Sequence, residues 1–342
     1  MASKNRTRLK VGVVGVGRLG RVYVRDLAAR IPETAVVAVA DRDRTLAAAV
    51  AEEFDVPKVY TSADDLIADS NVDAVVIVSP THTHREVVVA AARGGKPTFC
   101  EKPPALTLAE CAAMSDAVEK SGTFFQMGFM RRFDPGYAAA KEKVAQGAIG
   151  RPVVFKSTSR DPFRPSLEYA NPASSGGIMV DMGIHDFDLA RWFMGDVETV
   201  SAAGAVLAYP EMASIGDIDN AIATLVFADG RLGVVDLTRN GVYGYDINTE
   251  LLGDAGTLRV GYLRETPIFT MTKNSVSHDT VPYFMERFER AYTIQLQNFA
   301  QNVLHGRVPP VVIKDGVEAL RIALAATSAH RTGLPVKVAS VR

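Results

Sequence analysis

Apolar and polar positions along the first 128 residues follow a repeated order of strand and helix. Short, almost wholly apolar runs predict strands at residues 9–14, 36–40, 57–60, 74–78, 98–100 and 124–127. Amphipathic stretches between them predict helices up to residue 30 and at residues 44–53, 64–68 and 85–93. Apolar runs of this kind are typical of strands that are buried on both faces of a parallel sheet. The order therefore predicts an α/β domain of the Rossmann type, with a doubly wound parallel sheet.

From about residue 129 the pattern changes to longer strands with alternating apolar and polar positions, as in antiparallel sheets. Strands are predicted at residues 153–158, 197–207, 220–227, 230–238, 246–252 and 257–261. Helices are predicted at residues 135–146, 184–193, 286–303 and 317–332. We therefore expect two domains, a Rossmann domain over residues 1–128 and a C-terminal α+β domain over residues 129–342. The second should contain a large open, mostly antiparallel sheet with helices on one face.

Composition narrows the class of protein. A length of 342 residues fits two domains, and 47% hydrophobic with 23% charged residues fits an ordinary globular chain. The 38 Lys and Arg balance the 39 Asp and Glu, so charge offers no case for nucleic acid or anionic membranes as partners. No apolar run approaches the roughly 20 residues of a membrane span. The polar first ten residues lack the apolar core of a signal peptide.

The two cysteines, Cys100 and Cys111, fit a reducing compartment. We therefore expect a cytoplasmic protein in which both are buried as small apolar residues. They lack the spacing and partners of a zinc site, so no metal is expected.

A glycine motif, Gly15-x-Gly17-x-x-Gly20, joins the first predicted strand to the first helix. Gly15 permits the tight turn, Gly17 lets a pyrophosphate approach the backbone, and Gly20 lets the helix pack on the strand. Arg18 and Leu19 then lie at the helix N-terminus, where the phosphates of a dinucleotide bind. A glycine turn without a ligand is the alternative interpretation.

Asp41 follows the second strand, about 20 residues past the glycines, where a carboxylate binds the ribose hydroxyls of NAD. A carboxylate there repels the 2′-phosphate of NADP. Arg42 follows directly and would either stack on adenine or attract that phosphate. We expect NAD, with NADP as the alternative.

Polar residues follow two further strands. Ser79, Thr81 and His84 come after the strand that ends at residue 78, and Glu101 and Lys102 come after the next. Ligands bind at the carboxyl ends of parallel strands, so all five are expected to line the cofactor crevice. Glu101 would orient or neutralise the Lys102 ammonium, and the Lys102–Pro103 bond is a candidate for the cis form. A solvated surface charge is the alternative for Lys102.

The segment Gly176-Gly177-x-x-x-Asp181-x-Gly183-x-His185-x-x-Asp188 sets an acid four residues before a histidine. If the segment is helical, Asp181 and His185 share one face. The acid would then orient the imidazole for proton transfer near neutral pH. The alternative is that Asp181 caps a helix and His185 is a satisfied polar residue.

Together, the glycine motif, Glu101-Lys102-Pro103 and the Gly176–Asp188 segment resemble the Gfo/Idh/MocA sugar and polyol oxidoreductases over nearly the whole chain. Residues 128–135 and 242–246 look like the inositol 2-dehydrogenase branch. The resemblance implies that Lys102, Asp181 and His185 are catalytic. It also implies that Met130, Arg131 and a tyrosine of Tyr243-Gly244-Tyr245 lie near the polyol. In a strand, Tyr243 and Tyr245 would point into one cleft.

Asp161 is a further expected substrate contact, but Arg160-Asp161-Pro162 departs from the family pattern, where a histidine or asparagine is common. The departure leaves open the inositol isomer, or even a pyranose sugar. The expected reaction is NAD-dependent oxidation of one secondary alcohol of a cyclic polyol, most simply myo-inositol or its scyllo or chiro isomer, to an inosose.

In this reaction His185 is the expected base, Asp181 orients it or holds a neighbouring hydroxyl, and Lys102 donates to the reacting oxygen. Two alternatives remain: an enzyme of the same fold that acts on an aldose, keto-sugar or glycoside, and a non-catalytic dinucleotide-sensing regulator.

The C-terminal sheet also suggests assembly. Residues 221, 223, 225 and 227 form one apolar face of a strand, and Ile222, Thr224 and Val226 form the other. A strand that is apolar on both sides predicts that the outer face of the sheet is covered by another subunit. We expect a homodimer from closed symmetry, or the homotetramer that the resemblance favours. Coverage by long loops within a monomer is the alternative.

Overall fold

The computed structural model describes residues 8–342, and the first seven residues of the polar N-terminal segment lie outside them. The chain divides into two compact units. The first consists of the chain up to Met130 together with Arg290–Val317, and the second of Arg131–Glu289 together with Glu318–Arg342. The expected functional division at residues 128 and 129 stays a prediction.

The first unit contains a six-stranded sheet with the strand order β3-β2-β1-β4-β5-β6, in which every neighbouring pair is parallel. Its strands are β1 Leu9–Val14, β2 Thr34–Ala40, β3 Val59–Tyr60, β4 Ala74–Ile77, β5 Thr98–Glu101 and β6 Phe125–Gly128. Every residue of β4, β5 and β6 is buried, as expected for strands covered on both faces. The predicted Rossmann sheet is confirmed.

Helices connect these strands as α1 Arg18–Arg25, α2 Arg44–Glu53, α3 Ala63–Ala68, α4 Thr81–Arg93 and α5 Leu108–Ser121. A single wider turn, Asp26–Arg30, extends α1. The sequence patterns did not predict α5, although its start carries a readable signal. Thr107 accepts from the Glu110 N–H, and the Glu110 carboxylate accepts from the Thr107 N–H, which is a capping box.

Residues 290–317 join the first unit because their aromatic side chains complete its core. The rings of Tyr292 and Tyr23 lie 5.9 Å apart, and those of Phe299 and Phe99 also lie 5.9 Å apart. Near the sheet edge, Met127 donates its main-chain N–H to the Val311 carbonyl at 2.9 Å. A late segment of the chain therefore covers a sheet that is built from the first 128 residues.

The second unit contains a seven-stranded mixed sheet with the order β12-β11-β7-β10-β9-β8-β15. Its strands are β7 Pro152–Arg160, β8 Val197–Ala205, β9 Asn220–Phe227, β10 Leu232–Thr238, β11 Asp246–Gly253, β12 Thr257–Val260 and β15 Val336–Lys337. Only the β7–β10 pair is parallel among the strands of this sheet, so the expected large, mostly antiparallel sheet is confirmed. A separate hairpin is formed by β13 Thr270–Met271 and β14 Val276–Ser277.

The remaining helices are α6 Pro135–Ala145, α7 Leu167–Ala170, α8 Pro172–Ser175, α9 Gly177–Asp181, α10 Ile184–Met194, α11 Phe284–His305 and α12 Ile313–Thr332. Helix α10 packs on β7 and β10 and is buried over most of its length. It therefore fixes the residues at its N-terminus relative to the sheet of the second unit.

The opposite face of this sheet carries an apolar row across four strands. Leu232 of β10 is paired with Val226 of β9 and Val154 of β7, and Val154 is paired with Leu252 of β11. Leu232 is 53% exposed, Leu252 41% and Val226 38%, and Val154 is half-buried, so the row is partly open to solvent. These four residues are called the outer row below.

Candidate active site

The loop after β1 forms a cradle with open space at its centre. A Cβ on Gly15 would lie 2.5 Å from the backbone of Ser79, and a Cβ on Gly20 would lie 2.0 Å from the Gly15 carbonyl oxygen. Gly17 has no atom within 4 Å of the corresponding position. Two glycines thus permit close packing, and the third leaves room for a pyrophosphate beside the first residues of α1, Arg18 and Leu19.

Asp41 lies at the end of β2 and is tied to the same loop. Its Oδ2 accepts the main-chain N–H of Val16 at 2.9 Å, and its Oδ1 accepts that of Asp43 at 3.0 Å. The side chain is partly exposed, so lone pairs remain for the ribose hydroxyls of a dinucleotide. Arg42 is exposed beside it. The residues at the ends of β1 and β2 therefore fit NAD.

Ser79 and Thr81 lie where β4 passes into α4, next to the glycine loop. His84 is placed differently from the expectation, because it is buried within α4. Its ring nitrogens lie 2.9 Å from the Pro103 carbonyl oxygen and 2.8 Å from that of Ser79. Burial lowers the pKa of His84. Both ring nitrogens are thus used inside the protein, so His84 links two loops rather than making the expected polar contact with the cofactor.

Glu101 and Lys102 follow β5, and the Lys102–Pro103 bond is cis. The buried Glu101 carboxylate accepts the main-chain N–H of Lys102 at 3.0 Å and is also bonded to the Tyr23 hydroxyl. Gln295 donates to that hydroxyl at 2.5 Å. Burial raises the pKa of Glu101. Glu101 is therefore an interior residue that fixes the backbone of the half-buried Lys102.

The Gly-Gly turn before α9 exists for steric reasons. Gly176 and Gly177 have φ angles of 80° and 75°, which other residues rarely adopt. A Cβ on Gly176 would lie 2.6 Å from Val180, and a Cβ on Gly177 would lie 2.8 Å from Asp217 Oδ1. The turn therefore lets α9 approach the loop that holds Asp217.

Asp181 and His185 do not lie on one continuous helix, so that expectation is wrong. Asp181 is the last residue of α9, and His185 is the second residue of α10. The N-cap of α9 is Gly176 and that of α10 is Gly183. Asp181 is therefore not the N-cap that the alternative interpretation requires. The helix breaks at Met182 and Gly183. Residue 183 is a glycine in close quarters, since a Cβ there would lie 2.7 Å from the Met179 carbonyl oxygen.

Asp181 contacts an aromatic hydroxyl and a buried arginine. Tyr169 donates to its Oδ1 at 3.2 Å, and the Arg239 guanidinium donates to its Oδ2 at 3.4 Å. Arg239 also lies 3.9 Å from the carboxylate of Asp217. The sequence patterns did not single out Arg239 or Asp217. The available signal was an arginine directly after the apolar strand β10.

Arg131 was expected to meet the substrate, but it is a buried structural residue. Its guanidinium donates to Asp186 of α10 at 2.7 Å and to Ser159 of β7 at 3.1 Å. Ser157 donates to the same carboxylate at 2.6 Å. Arg132 forms a second ion pair, which is bidentate, with Asp188, also on α10. The two arginines therefore hold α10, and with it His185, in place.

The other expected substrate contacts differ in burial and in their local backbone. Met130 is buried, while Asp161 is half-buried and its backbone pairs with Thr238 and Gly241. Tyr243 and Tyr245 lie in a turn before β11, where Gly244 has a φ of 140°, so they do not share a strand face as predicted. The hydroxyl of the exposed Tyr243 binds Arg160 and Asp246, whereas Tyr245 is buried against Tyr283 and Phe288.

Three features of the described residues bear on other classes of protein. None of the helices within residues 8–342 has the length and apolar character to cross a membrane. Over the same residues, no group of three or more His, Cys, Asp or Glu side chains is arranged to hold a metal ion. Cys100 and Cys111 are both buried, as predicted, and both are free cysteines.

Two family profiles match successive parts of the chain. The profile described as "Oxidoreductase family, NAD-binding Rossmann fold" matches residues 9–129, and "Oxidoreductase family, C-terminal alpha/beta domain" matches residues 141–338. A scyllo-inositol 2-dehydrogenase (NAD(+)) of Bacillus subtilis is 38% identical over 332 residues, covering 97% of this chain and 96% of that protein. A myo-inositol 2-dehydrogenase of Thermotoga maritima is 39% identical, covering 97% and 99%.

Among solved structures, a scyllo-inositol dehydrogenase from Lactobacillus casei with bound NAD(H) and scyllo-inositol superimposes with a TM-score of 0.93. It is 31% identical, and the match covers 98% of this chain and all of that one. The resemblance that the motifs indicated is confirmed. The chain belongs to the Gfo/Idh/MocA family of NAD-binding oxidoreductases.

Proposed function

We propose that the protein oxidises one secondary hydroxyl of a cyclic polyol to a ketone, with myo-inositol as the first candidate and its scyllo and chiro isomers next. The observation that carries the proposal is the full-length similarity to inositol 2-dehydrogenases at 38% and 39% identity. The chain also has Lys102, Asp181 and His185, which a protein that only senses a dinucleotide would not need. Its metabolic place would be the breakdown or interconversion of carbohydrates in the cytoplasm.

The residues of this chain have distinct roles in the proposed reaction. NAD, when bound, accepts the hydride from the carbinol carbon. His185 takes the hydroxyl proton, because a neutral imidazole accepts a proton near pH 7. Asp181 orients His185 or a neighbouring hydroxyl. The Lys102 ammonium donates to the reacting oxygen and so stabilises the negative charge that develops there. The products are the ketone, the reduced cofactor and one proton.

Cofactor binding is assigned to the first unit. Gly15, Gly17 and Gly20 shape the cradle, the N–H groups at Arg18 and Leu19 would meet the pyrophosphate, and Asp41 would meet the ribose. Ser79 and Thr81 border the same loop. Glu101 and His84 act indirectly, because the first fixes the Lys102 backbone and the second bridges the loops after β4 and β5.

Substrate contacts are proposed for the polar residues that keep some exposure. Lys102, Asp181, Asp161 and Tyr243 meet this condition. Arg131 and Tyr245 are buried in ion-pair and aromatic contacts, so we place them behind the polyol site, as supports.

Turnover of a substrate panel tests the proposal. NADH absorbance would be followed with myo-, scyllo- and chiro-inositol, glucose, galactose, a glycoside and an acyclic polyol. We expect the highest kcat/KM for an inositol, and His185→Ala should lower kcat by about 10²–10⁴-fold. His82→Ala, at an exposed histidine of α4, is the matched control and should keep native kcat. A preference for a pyranose, or NAD binding without any turnover, would contradict the polyol assignment.

We also propose that a second copy of the chain covers the outer row. The row is continuous across four strands, and charged residues beside it are paired with one another. Lys156 and Arg259 both pair with Glu250, at 3.4 and 3.5 Å, and Arg160 pairs with Asp236 at 2.5 Å. An apolar row flanked by charges of both signs suits an isologous contact, in which the same patch meets itself. A homodimer, or a homotetramer made of two such dimers, follows.

A further inference from the structure

Arg239 is the central residue of a charged cluster that the proposed reaction does not yet use. It follows β10 directly and is almost completely buried, and its main-chain N–H is donated to the Asp219 carbonyl at 2.9 Å. The guanidinium lies 3.4 Å from Asp181 and 3.9 Å from Asp217. One buried cation is therefore shared by two carboxylates, one of which is a proposed catalytic residue.

The two carboxylates are held differently. Asp217 is buried, its Oδ1 accepts the Ile178 N–H at 3.3 Å, and burial raises its pKa. Asp181 retains a 13% exposed side chain, and its second oxygen meets the hydroxyl of Tyr169 on α7. The charges of Asp181, Asp217 and Arg239 sum to −1, so the cluster holds one negative charge beyond what the guanidinium neutralises.

We propose that Arg239 is a positioning residue for the oxidation, which keeps Asp181 ionised and in one orientation, and that Asp217 limits this effect by competing for the same guanidinium. The proposal rests on the catalytic role of Asp181 given above. Arginine suits the task because it stays charged under all working conditions and its planar fork fixes the position of its partner.

The physical basis is the sign of the charges around Asp181. A cation within about 4–6 Å favours the ionised form of a carboxylate by about 1–3 pKa units, and a second anion disfavours it. Loss of the cation therefore raises the pKa of a carboxyl or an imidazole near this cluster. Loss of the anion lowers it. The hydroxyl of Tyr169 is neutral and does not alter the sign.

The acidic limb of the pH profile of kcat/KM, measured with NAD and the best inositol, tests the proposal. Arg239→Gln should move the limb upward by about one pH unit or more, and Asp217→Asn should move it downward. Arg239→Lys keeps the charge and should stay closest to the native profile. Arg151→Gln removes an exposed cation elsewhere in the second unit and should leave the limb in place.

Opposite shifts distinguish this role from a purely structural one, since loosened packing would move both variants in the same direction or leave both limbs in place. Either of these results overturns the proposal. If Arg239→Gln does not fold, Asp217→Asn decides alone: a downward shift supports the proposal and an unmoved limb overturns it. A native protein that turns over no polyol removes the proposed function and this inference with it, whereas native turnover with unmoved limbs removes the inference only.

Discussion

The carboxylate of Asp41 accepts the main-chain N–H of Val16 at 2.9 Å, which ties the end of β2 to the glycine loop after β1. The bond holds a negative charge next to the cradle around Gly17, where the adenosine half of a dinucleotide would lie. The same residue therefore shapes the loop and, in the proposed assignment, favours NAD over NADP.

Asp41→Ala should narrow the preference for NAD over NADP, because it removes the repulsion of a 2′-phosphate. It should also raise KM for NAD, since the loop loses a hydrogen bond. Steady-state kinetics with both cofactors measure the two effects. Glu52→Ala, at an exposed acid of α2, is the control for a general change of charge. A native enzyme with a higher kcat/KM for NADP would mean that Arg42 determines the preference.

Lys102→Ala should lower kcat by about 10²–10⁴-fold while NADH binding, followed by fluorescence, stays close to native. The reason is that the ammonium stabilises charge on the reacting oxygen, whereas the cradle residues hold the cofactor. Lys96→Ala, at the start of the same strand region, is a control that should retain kcat. A collapse of NADH affinity in Lys102→Ala would instead make Lys102 a cofactor ligand.

Asp186→Ala should destabilise the protein by about 3–5 kcal/mol, because it leaves the buried guanidinium of Arg131 without its carboxylate. Urea denaturation measures the loss. The matched control is Asp196→Ala, since Asp196 pairs with Arg191 near the other end of α10 but has a 74% exposed side chain. The control should change stability much less. Equal effects of the two variants would contradict the structural role of the Arg131 pair.

Glu101 should make stability depend on pH with an unusual sign. Burial raises the pKa of this carboxyl above its ordinary value of 4.5, so the folded state binds the proton more tightly than the unfolded state. Its contribution to stability is most favourable below pH 4.5 and falls as the pH rises through the folded pKa.

Glu101→Gln removes this titration, so the native-minus-variant difference in unfolding free energy should decrease with rising pH across that window. Urea titrations at a series of pH values give the slope, which is independent of any constant cost of the substitution. If this difference in unfolding free energy stays constant or increases with pH, ionisation of Glu101 does not destabilise the folded state.

Leu232→Asp should dissociate the assembly, because it places a charge in the centre of the outer row. Light scattering at micromolar concentration should give two or four times the monomer mass for the native protein and the monomer mass for the variant. Val308→Asp introduces the same charge at an exposed residue of the first unit and should leave the mass unchanged. A native monomer would end the proposal.

Short sequence patterns predicted the strands and turns that leave a signature in neighbouring residues. The apolar runs of β1, β2 and β4 and the roles of Gly15, Gly17 and Gly20 were readable because apolar runs and the spacing of the glycine motif are visible within short stretches of sequence. Helix α5 was missed because its alanines give no clear apolar face, even though Thr107 and Glu110 mark its start. The break between Asp181 and His185 depends on contacts at Gly183, which spacing alone does not reveal.

Long-range partners were not readable from the sequence. Arg131 looked like a substrate ligand because its true partner, Asp186, lies 55 residues away and becomes adjacent only when α10 packs on β7. The prediction that Tyr243 and Tyr245 share one strand face was wrong because of the backbone. Gly244 has a φ of 140° and turns the chain before β11 begins. Arg239 and Asp217 could be linked to Asp181 only from the fold, which brings the three side chains together.

Gly177 and Asp217 are forty positions apart, yet a steric contact couples them. A side chain at residue 177 would press on the carboxylate of Asp217 and would also have to adopt a φ of 75°, so glycine is required there on two counts. Asp217 in turn shares Arg239 with Asp181. A residue without a side chain thus sets the space in which three charged groups meet.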